Sequence, residues 1–388
     1  MGKIGIGIIG ARFAADLHAH TYGRLREKID LVAVCSKTRE SAETFARKFK
    51  IPNVYTDHRQ MLERKDIHVI DLCVTTNLHH TMAIDAANAG KNIICEKPLT
   101  GFFGDGKTIS RQVMMEEALK NASSVLKAVE TNRVKFGYAE NFVYAPPVTK
   151  LKNLMKACQG TVLDIRAEES HSGSHAAYSR EWKTSGGGSL LRMGAHPVGA
   201  VLHLKHYEGL MKFGRPIRAK SVIGDVGHLT KMEAFRKEPK KWLVDSWADV
   251  EDWSAALITF EDGSKGTILA TDVSLGGVKN LVSVFMSNAA VMVNINPNTS
   301  LVVYSPERNI FGSEYITEKV ETTAGWQFPS PDEDWMRGYP QEMEDFINAV
   351  IEDRDPVSST DLAYETVEVI YAAYLSAETG KRIELARK

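Results

Sequence analysis

The sequence predicts two α/β domains: an N-terminal doubly wound parallel sheet, then a domain carrying a large, open, mainly antiparallel sheet. Three observations predict this. At 388 residues the chain exceeds the ~250–300 residues at which single cores stop growing. Its opening third alternates short, wholly apolar runs with stretches of helical spacing, as parallel strands covered by crossover helices require. Past residue 161 the pattern becomes alternation, which fits strands with one buried face.

Residues 4–9, 31–35, 69–74 and 92–95 are apolar runs of strand length. Between them, residues 15–25, 40–49 and 81–89 carry helical spacing. Gly90, with Lys91 beside it, stands where a helix C-cap belongs. A glycine- and phenylalanine-bearing loop at 101–106 leads to a long helix over 110–131 and one more strand over 134–140. Pro146-Pro147 then punctuates the passage to the second half, so the domains are drawn at 1–143 and 144–388. In that half Leu163, Ile165 and Ala167 alternate, as do Ala255, Leu257 and Thr259 and the runs 268–274, 281–286 and 291–295. Glu261-Asp262-Gly263-Ser264 between two such runs is a hairpin signal. Residues 341–352 and 361–378 read as amphipathic helices, the last closed by Gly380.

Composition narrows the function. Lys+Arg number 48 and Asp+Glu 49, a net charge of −1, which argues against a broad basic surface for nucleic acid. With 43% hydrophobic and 25% charged residues, a wholly disordered chain is excluded. No apolar run approaches the ~20 residues that span a bilayer. Gly2 lacks the Ser or Thr that a myristoylation motif wants at position 6, where Ile6 stands. Cys35, Cys73, Cys95 and Cys158 show no Cys-x-x-Cys spacing, which points to a reducing compartment. A cytoplasmic protein with neither membrane nor nucleic-acid partner is expected.

The first strand runs into Gly10-Ala11-Arg12-Phe13-Ala14-Ala15. A Rossmann-type dinucleotide turn wants Gly-x-Gly-x-x-Gly there, so that backbone amides approach a pyrophosphate. Aligned on Gly10, the last position is an acceptable Ala15, while Arg12 replaces the middle glycine. Gly10, Arg12, Phe13 and Ala14 are the candidate phosphate cradle, against the alternative of a plain βα turn. The second strand ends in Cys35-Ser36-Lys37-Thr38-Arg39, without the carboxylate that reads a ribose 2′-hydroxyl. Ser36, Lys37 and Arg39 suit a 2′-phosphate, which favours NADP over NAD. The competing reading is a set of solvated residues opening a helix. Residues 101–108 also satisfy G-x-x-x-x-G-K-[ST]. That match is discounted, because a phosphate loop leaves its strand directly and here residues 96–100, with Pro98, intervene. A nucleotide hydrolase is the less favoured alternative.

Ile94-Cys95-Glu96-Lys97-Pro98-Leu99, with Thr76-Asn77-Leu78-His79-His80 upstream, resembles the Gfo/Idh/MocA family of sugar and cyclitol oxidoreductases. The resemblance continues through Gly186–His196 and Gly338-Tyr339-Pro340-Gln341-Glu342, in the same order over almost the whole chain. It implies an NAD(P)-dependent enzyme moving a hydride between a nicotinamide and a ring hydroxyl or ketone of a sugar, glycoside or cyclitol. It further implies that Asn77 contacts the nicotinamide ribose, with Thr75 and His80 on either side and Thr76 in place of the usual proline. Glu96 is implied to touch cofactor hydroxyls, and Lys97 to lie beside the substrate hydroxyl, before a cis-type peptide to Pro98. His196 is the implied acid/base. The chemistry agrees, since imidazole moves protons near neutrality and an ammonium stabilises a developing alkoxide.

Tyr138, Glu140, Asn141, Tyr144, His171 and His175 are candidate pocket residues, and Trp182 a sugar-stacking or core tryptophan. Many members carry Asp four residues before the histidine and a second acid three after it. Here these are Arg192 and Gly199. On a continuous helix Arg192 would lie beside His196 and lower its pKa. It would recruit an anionic ligand or pair with a nearby carboxylate. This departure keeps open a second reading, a cofactor-binding sensor or scaffold without turnover. His171, His175 and His196 could also make a three-histidine metal set, but the resemblance requires none and no metal is expected. By analogy with the family, the open sheet predicts a homodimer or homotetramer.

Overall fold

The computed structural model of the chain describes residues 2–296 and 299–385. The apolar runs of the N-terminal half form strands because each has helices to bury against on both faces. In order they are β1 (Ile4–Ile9), α1 (Phe13–Tyr22), β2 (Ile29–Cys35), α2 (Arg39–Phe49), β3 (Asn53–Tyr55), α3 (His58–Leu62), β4 (Val69–Leu72), α4 (Thr76–Asn88), β5 (Asn92–Glu96), α5 (Arg111–Asn132) and β6 (Phe136–Ala139). The six strands are parallel in the order β3-β2-β1-β4-β5-β6. Strand order reverses between β1 and β4, and ligands of such sheets bind beyond the strand C-termini at that point. Strand β3 escapes the sequence reading because it is three half-buried residues at the sheet edge.

The second half begins with α6 (Pro146–Cys158), whose Pro146 and Pro147 occupy the first helical positions. Then come β7 (Val162–Ser170), two single-turn helices α7 (Trp182–Ser185) and α8 (Ser189–Arg192), α9 (Ala195–Phe213), β8 (Ala219–Gly227) and the short α10 (Glu233–Arg236). Strands β9 (Trp253–Phe260), β10 (Lys265–Thr271), β11 (Lys279–Met286) and β12 (Ala290–Asn296) follow. A small ribbon, β13 (Val303–Ser305) with β14 (Gly325–Gln327), precedes α11 (Glu333–Arg337), α12 (Tyr339–Ile351), α13 (Thr360–Thr379) and β15 (Ile383–Glu384).

The seven-stranded sheet runs β12-β11-β7-β10-β9-β8-β15 and is antiparallel except where β7 meets β10. Gly263, at φ +88°, turns the predicted hairpin between β9 and β10. Val162 pairs with Met286 and Asp164 with Phe285, so Leu163 is an extra, bulged residue. It is exposed and does not share the buried row of Ile165 and Ala167 that its spacing suggested.

Helices α9 and α13 cover one face of this sheet, and α13 also packs on α5. Helix α12 lies against α1 and β6. The C-terminal helices therefore lock the second sheet over the C-terminal ends of the first. The other face of the second sheet is open, with Leu257 and Met292 exposed. Among the described residues, no helix is long and apolar enough to cross a membrane.

Candidate active site

At the end of β1, Gly10 has φ +121°, and a Cβ there would sit 2.1 Å from the Cys73 carbonyl oxygen. Only glycine fits this turn. Arg12 is the N-cap residue of α1, extended and making no side-chain cap, while Phe13 is exposed. The first amides of α1 thus remain available to an anion at the positive end of the helix. Past β2, Ser36 is half-buried and Lys37 exposed. Arg39 is already paired with Glu43, one turn along α2 at 3.0 Å, so of the three predicted phosphate donors it is the most committed elsewhere.

On the far side of the switch point, Thr75 caps α4 and its hydroxyl donates to Asn77 Oδ1 at 2.7 Å. The His80 ring stacks on Phe103 and lies 3.3 Å from the Thr100 hydroxyl. The neighbouring His79, which sequence reasoning did not single out, is buried and bridges Val74 O and Pro98 O at 3.1 and 2.8 Å. It ties the start of α4 to the loop that carries the cis peptide Lys97-Pro98.

Glu96 ends β5. Its Oε2 accepts the Lys97 backbone N–H at 3.0 Å, and its Oε1 lies 3.2 Å from His18 Nε2. The other His18 nitrogen meets Asp71 at 2.9 Å, and the Tyr22 hydroxyl donates to the same carboxylate. Burial alone would lower the His18 pKa, but Asp71 and then Cys73 outweigh it and raise it well above the usual imidazole range. Burial would likewise raise Glu96, yet His18 and Lys97 hold it below the usual range. A buried imidazolium between two carboxylates therefore keeps Glu96 ionised at the C-terminal end of β5. Tyr339, from the last of the resembling segments, places its ring 6.4 Å from that of His18.

Lys97 Nζ donates to Arg192 O at 2.9 Å, which aims the ammonium at the segment leading to His196. His196 sits in the first turn of α9, its ring stacked nearly parallel on that of Phe142 with centroids 4.8 Å apart. Its Nδ1 lies 2.7 Å from Glu140 Oε1, and its Nε2 lies 3.8 Å from Glu169 Oε2. Burial pushes the Glu140 carboxyl well above its usual range, against the pull of Lys97. Burial, then Lys97 and Arg337, push His196 well below its own. Both directions favour a neutral pair over separated charges, with a proton on Glu140 Oε1 shared towards Nδ1 and Nε2 carrying a hydrogen to give. When the pair has lost one proton, Glu140 is a carboxylate, the remaining hydrogen sits on Nδ1, and Nε2 is a base.

Glu140 fills the role that residues 192 and 199 were expected to lose. A Cβ at Gly199 would come 2.9 Å from Glu140 Cγ, so the glycine is what makes room for this carboxyl. Arg192 is likewise not an uncompensated cation. Its guanidinium pairs with the fully buried Asp272 and lies over the Trp247 ring. Met193 and Gly194 separate α8 from α9, so the expected one-turn helical spacing between Arg192 and His196 does not form. The expected depression of His196 by Arg192 is corrected accordingly: burial supplies most of it, with Lys97 and Arg337 next. Asp272 itself is raised to about 6 by burial, against the pull of Arg192.

The other predicted pocket residues divide. His171 is buried beside this pair, 3.8 Å from Asp272 Oδ1, and its Nδ1 accepts the Gly173 N–H. Burial, with Lys319 next, pushes it down to about 2, so the ring is neutral. His175 is exposed, and among the described residues His171, His175 and His196 do not bring their ligand atoms into one cluster. Tyr138 is wholly buried, Asn141 donates its amide to Arg337 O, and Tyr144 donates to Asp345. These three build the wall behind the site. Trp182 is a core residue, buried between Arg111 and Tyr374, which removes it from the sugar-stacking role. The 101–108 segment is no phosphate loop. It follows no strand directly, and the Phe102 amide donates to the Tyr371 hydroxyl of α13.

Comparison with known proteins places the chain in a family. Residues 4–125 match an oxidoreductase family's NAD-binding Rossmann fold, and residues 160–385 match the same family's C-terminal alpha/beta domain. The chain is 23% identical to D-glucoside 3-dehydrogenase of Escherichia coli over 98% of this chain and 97% of that one. It is 32% identical to levoglucosan dehydrogenase of Pseudarthrobacter phenanthrenivorans over 132 residues, 32% of each chain. Its fold superimposes on GenD2 from gentamicin A biosynthesis, solved in complex with NAD, with a TM-score of 0.82 at 23% identity, covering 100% of this chain and 97% of that one.

Proposed function

We propose, for a chain that belongs to the Gfo/Idh/MocA oxidoreductase family, that it interconverts a ring hydroxyl and the corresponding ketone of a sugar, glycoside or cyclitol, using NAD(P). The observation that carries this reading is the buried Glu140–His196 pair, with Lys97 beside it, at the open end of a dinucleotide-type sheet. The residues fit such a cofactor. Gly10 and the uncapped start of α1 would hold the pyrophosphate, while Thr75, Asn77 and Glu96 would meet the nicotinamide ribose. The nicotinamide, when bound, supplies the hydride acceptor or donor.

The chain's own groups handle the proton. His196 Nε2 takes it from the hydroxyl as Lys97 stabilises the oxygen's developing negative charge. Glu140 fixes the imidazole orientation and balances the gain. Run backwards, the same groups protonate a ketone. The Arg192–Asp272 pair and His171 form the neighbouring wall and offer donors and acceptors to further ring hydroxyls.

NADP is the favoured cofactor, on the strength of Lys37 and the missing carboxylate at the end of β2. The open face bearing Leu257 and Met292 supports a homodimer or homotetramer, and three buried free cysteines suit the cytoplasm. The test is direct: incubate the protein with NAD+ or NADP+ and a panel of glucosides, anhydrosugars and inositols, and follow nicotinamide absorbance. Turnover of at least one that His196→Ala abolishes is the expected result. Cofactor binding with no turnover of any panel member counts against it.

A further inference from the structure

The mechanism leaves one buried titratable group beside the reacting centre unused. Glu169 lies on β7 in the inward row of Ile165 and Ala167, where an apolar side chain would be expected. Its Oε2 is buried and has no hydrogen-bond partner among the described residues. A carboxylate oxygen in that condition calls for a ligand or water. It faces His196 Nε2 at 3.8 Å, on the ring edge opposite Glu140. That gap is too long for a direct hydrogen bond. It is wide enough for a substrate oxygen to touch both atoms at once.

We propose that Glu169 is a second proton acceptor of the site, contacting the same substrate hydroxyl as His196 and taking the proton onward from Nε2 to its own Oε2. The assignment rests on the oxidoreductase reading above. In the oxidative direction the substrate O–H bond breaks and an Nε2–H bond forms, while the oxidised nicotinamide takes the hydride from carbon. Once the ketone leaves, a water entering the gap carries the proton on: the Nε2–H bond breaks as the water takes that proton, the water gives one of its own to Glu169 Oε2, and the imidazole returns to its starting state. The carboxyl group finally loses its proton to solvent.

Electrostatics give the direction. A lasting imidazolium would add a third positive charge to a buried site already holding Lys97 and Arg337. A proton on Glu169 removes a buried negative charge instead. The charged groups that act most strongly on Glu169 come from several elements. Burial raises its pKa to about 7, Lys97, Arg337 and Arg192 pull down, and Glu318 pushes up. Glu140 and His196 complete its surroundings. At neutral pH the group is half ready to accept and half ready to give, as a relay between alcohol and solvent needs.

Two measurements test this. Infrared difference titration of the cofactor-loaded protein should show a protonated-carboxyl band that fades with a midpoint near 7 and vanishes in Glu169→Gln. No such band, or a band that Glu169→Gln leaves intact, overturns the relay whatever the activity. In steady state, wild-type oxidation should rise through the same pH. Glu169→Gln should lose that limb and about 10–100-fold in kcat, with cofactor affinity unchanged. A variant retaining the limb and full kcat overturns the proposal. A correct infrared titration in a protein that oxidises no panel sugar overturns the oxidoreductase reading, and the relay's catalytic role with it.

Discussion

Replacing Glu140 with glutamine tests the acid/base pair at its most exposed assumption. The side chain is fully buried and nearly isosteric with the amide. Its contacts are one bond of 2.7 Å to His196 Nδ1 and one of 3.3 Å from the Phe142 amide. Glutamine can keep both contacts but can neither carry charge nor take a proton. A hydrogen bond to a charged partner contributes about 1.5–3 kcal/mol, so kcat should fall roughly 10–150-fold. Glu140 reaches the substrate only through the imidazole, so KM for sugar and cofactor should barely move. Folding stability should change by less than about 1 kcal/mol, because burial already favours the neutral carboxyl and the amide fills the same space. The assay is initial rate by nicotinamide absorbance under saturation, in both directions, alongside urea denaturation of both proteins. A kcat within about threefold of wild type, at undiminished stability, would refute the role given to Glu140.

Three further outcomes follow from the same geometry. Lys37→Ala should weaken NADP+ binding by about 3–10-fold and leave NAD+ binding unchanged, as fluorescence titration would measure; equal effects on both cofactors would remove the phosphate assignment. Asp272→Ala strands the Arg192 guanidinium in a buried site, which should cost about 3–5 kcal/mol in urea denaturation. Restored stability in the double variant Asp272→Ala/Arg192→Met would identify the stranded charge as the cause. The raised pKa of Glu169 gives a definite sign to pH-dependent stability. The folded state holds this proton more tightly than the unfolded chain, so its contribution is most favourable below the unfolded pKa. It declines as pH rises towards about 7, by up to about 3 kcal/mol, and Glu169→Gln should flatten that slope in calorimetry.

What the sequence revealed, and what it hid, follows from how signal arises along a chain. The parallel strands were legible because both faces are buried, which makes each a continuous apolar run. Helix α9 went unread for a related reason: it is buried along most of its length, so it lacks the polar face that would set up a helical period. Pro146 and Pro147 looked like punctuation and instead open α6, where a missing N–H costs nothing. Lys97 and His196 were visible because each sits in a contiguous recognisable segment. Glu140, just past β6, was legible only as a pocket residue, and Glu169 on β7 not at all as a partner of His196; their pairing leaves only faint marks, a carboxylate in an inward β7 position and a glycine inside a helix at 199.

Of the readings of Arg192, pairing with a nearby carboxylate holds, and the one-turn adjacency to His196 does not, because charge balance is settled in space and not along the chain. Positions 192 and 199 lack the acids the family pattern suggested, and each absence is matched by a carboxylate elsewhere, Asp272 for the first and Glu140 for the second. Without Asp272 a buried guanidinium would stand unpaired, and with a side chain at position 199 the Glu140 carboxyl would be crowded, either costing several kcal/mol. Each position therefore makes physical sense only together with its partner. The carboxyl partner of His196 comes not from the α8–α9 segment but from the end of β6, where it meets Nδ1 and leaves Nε2 on the side of Glu169.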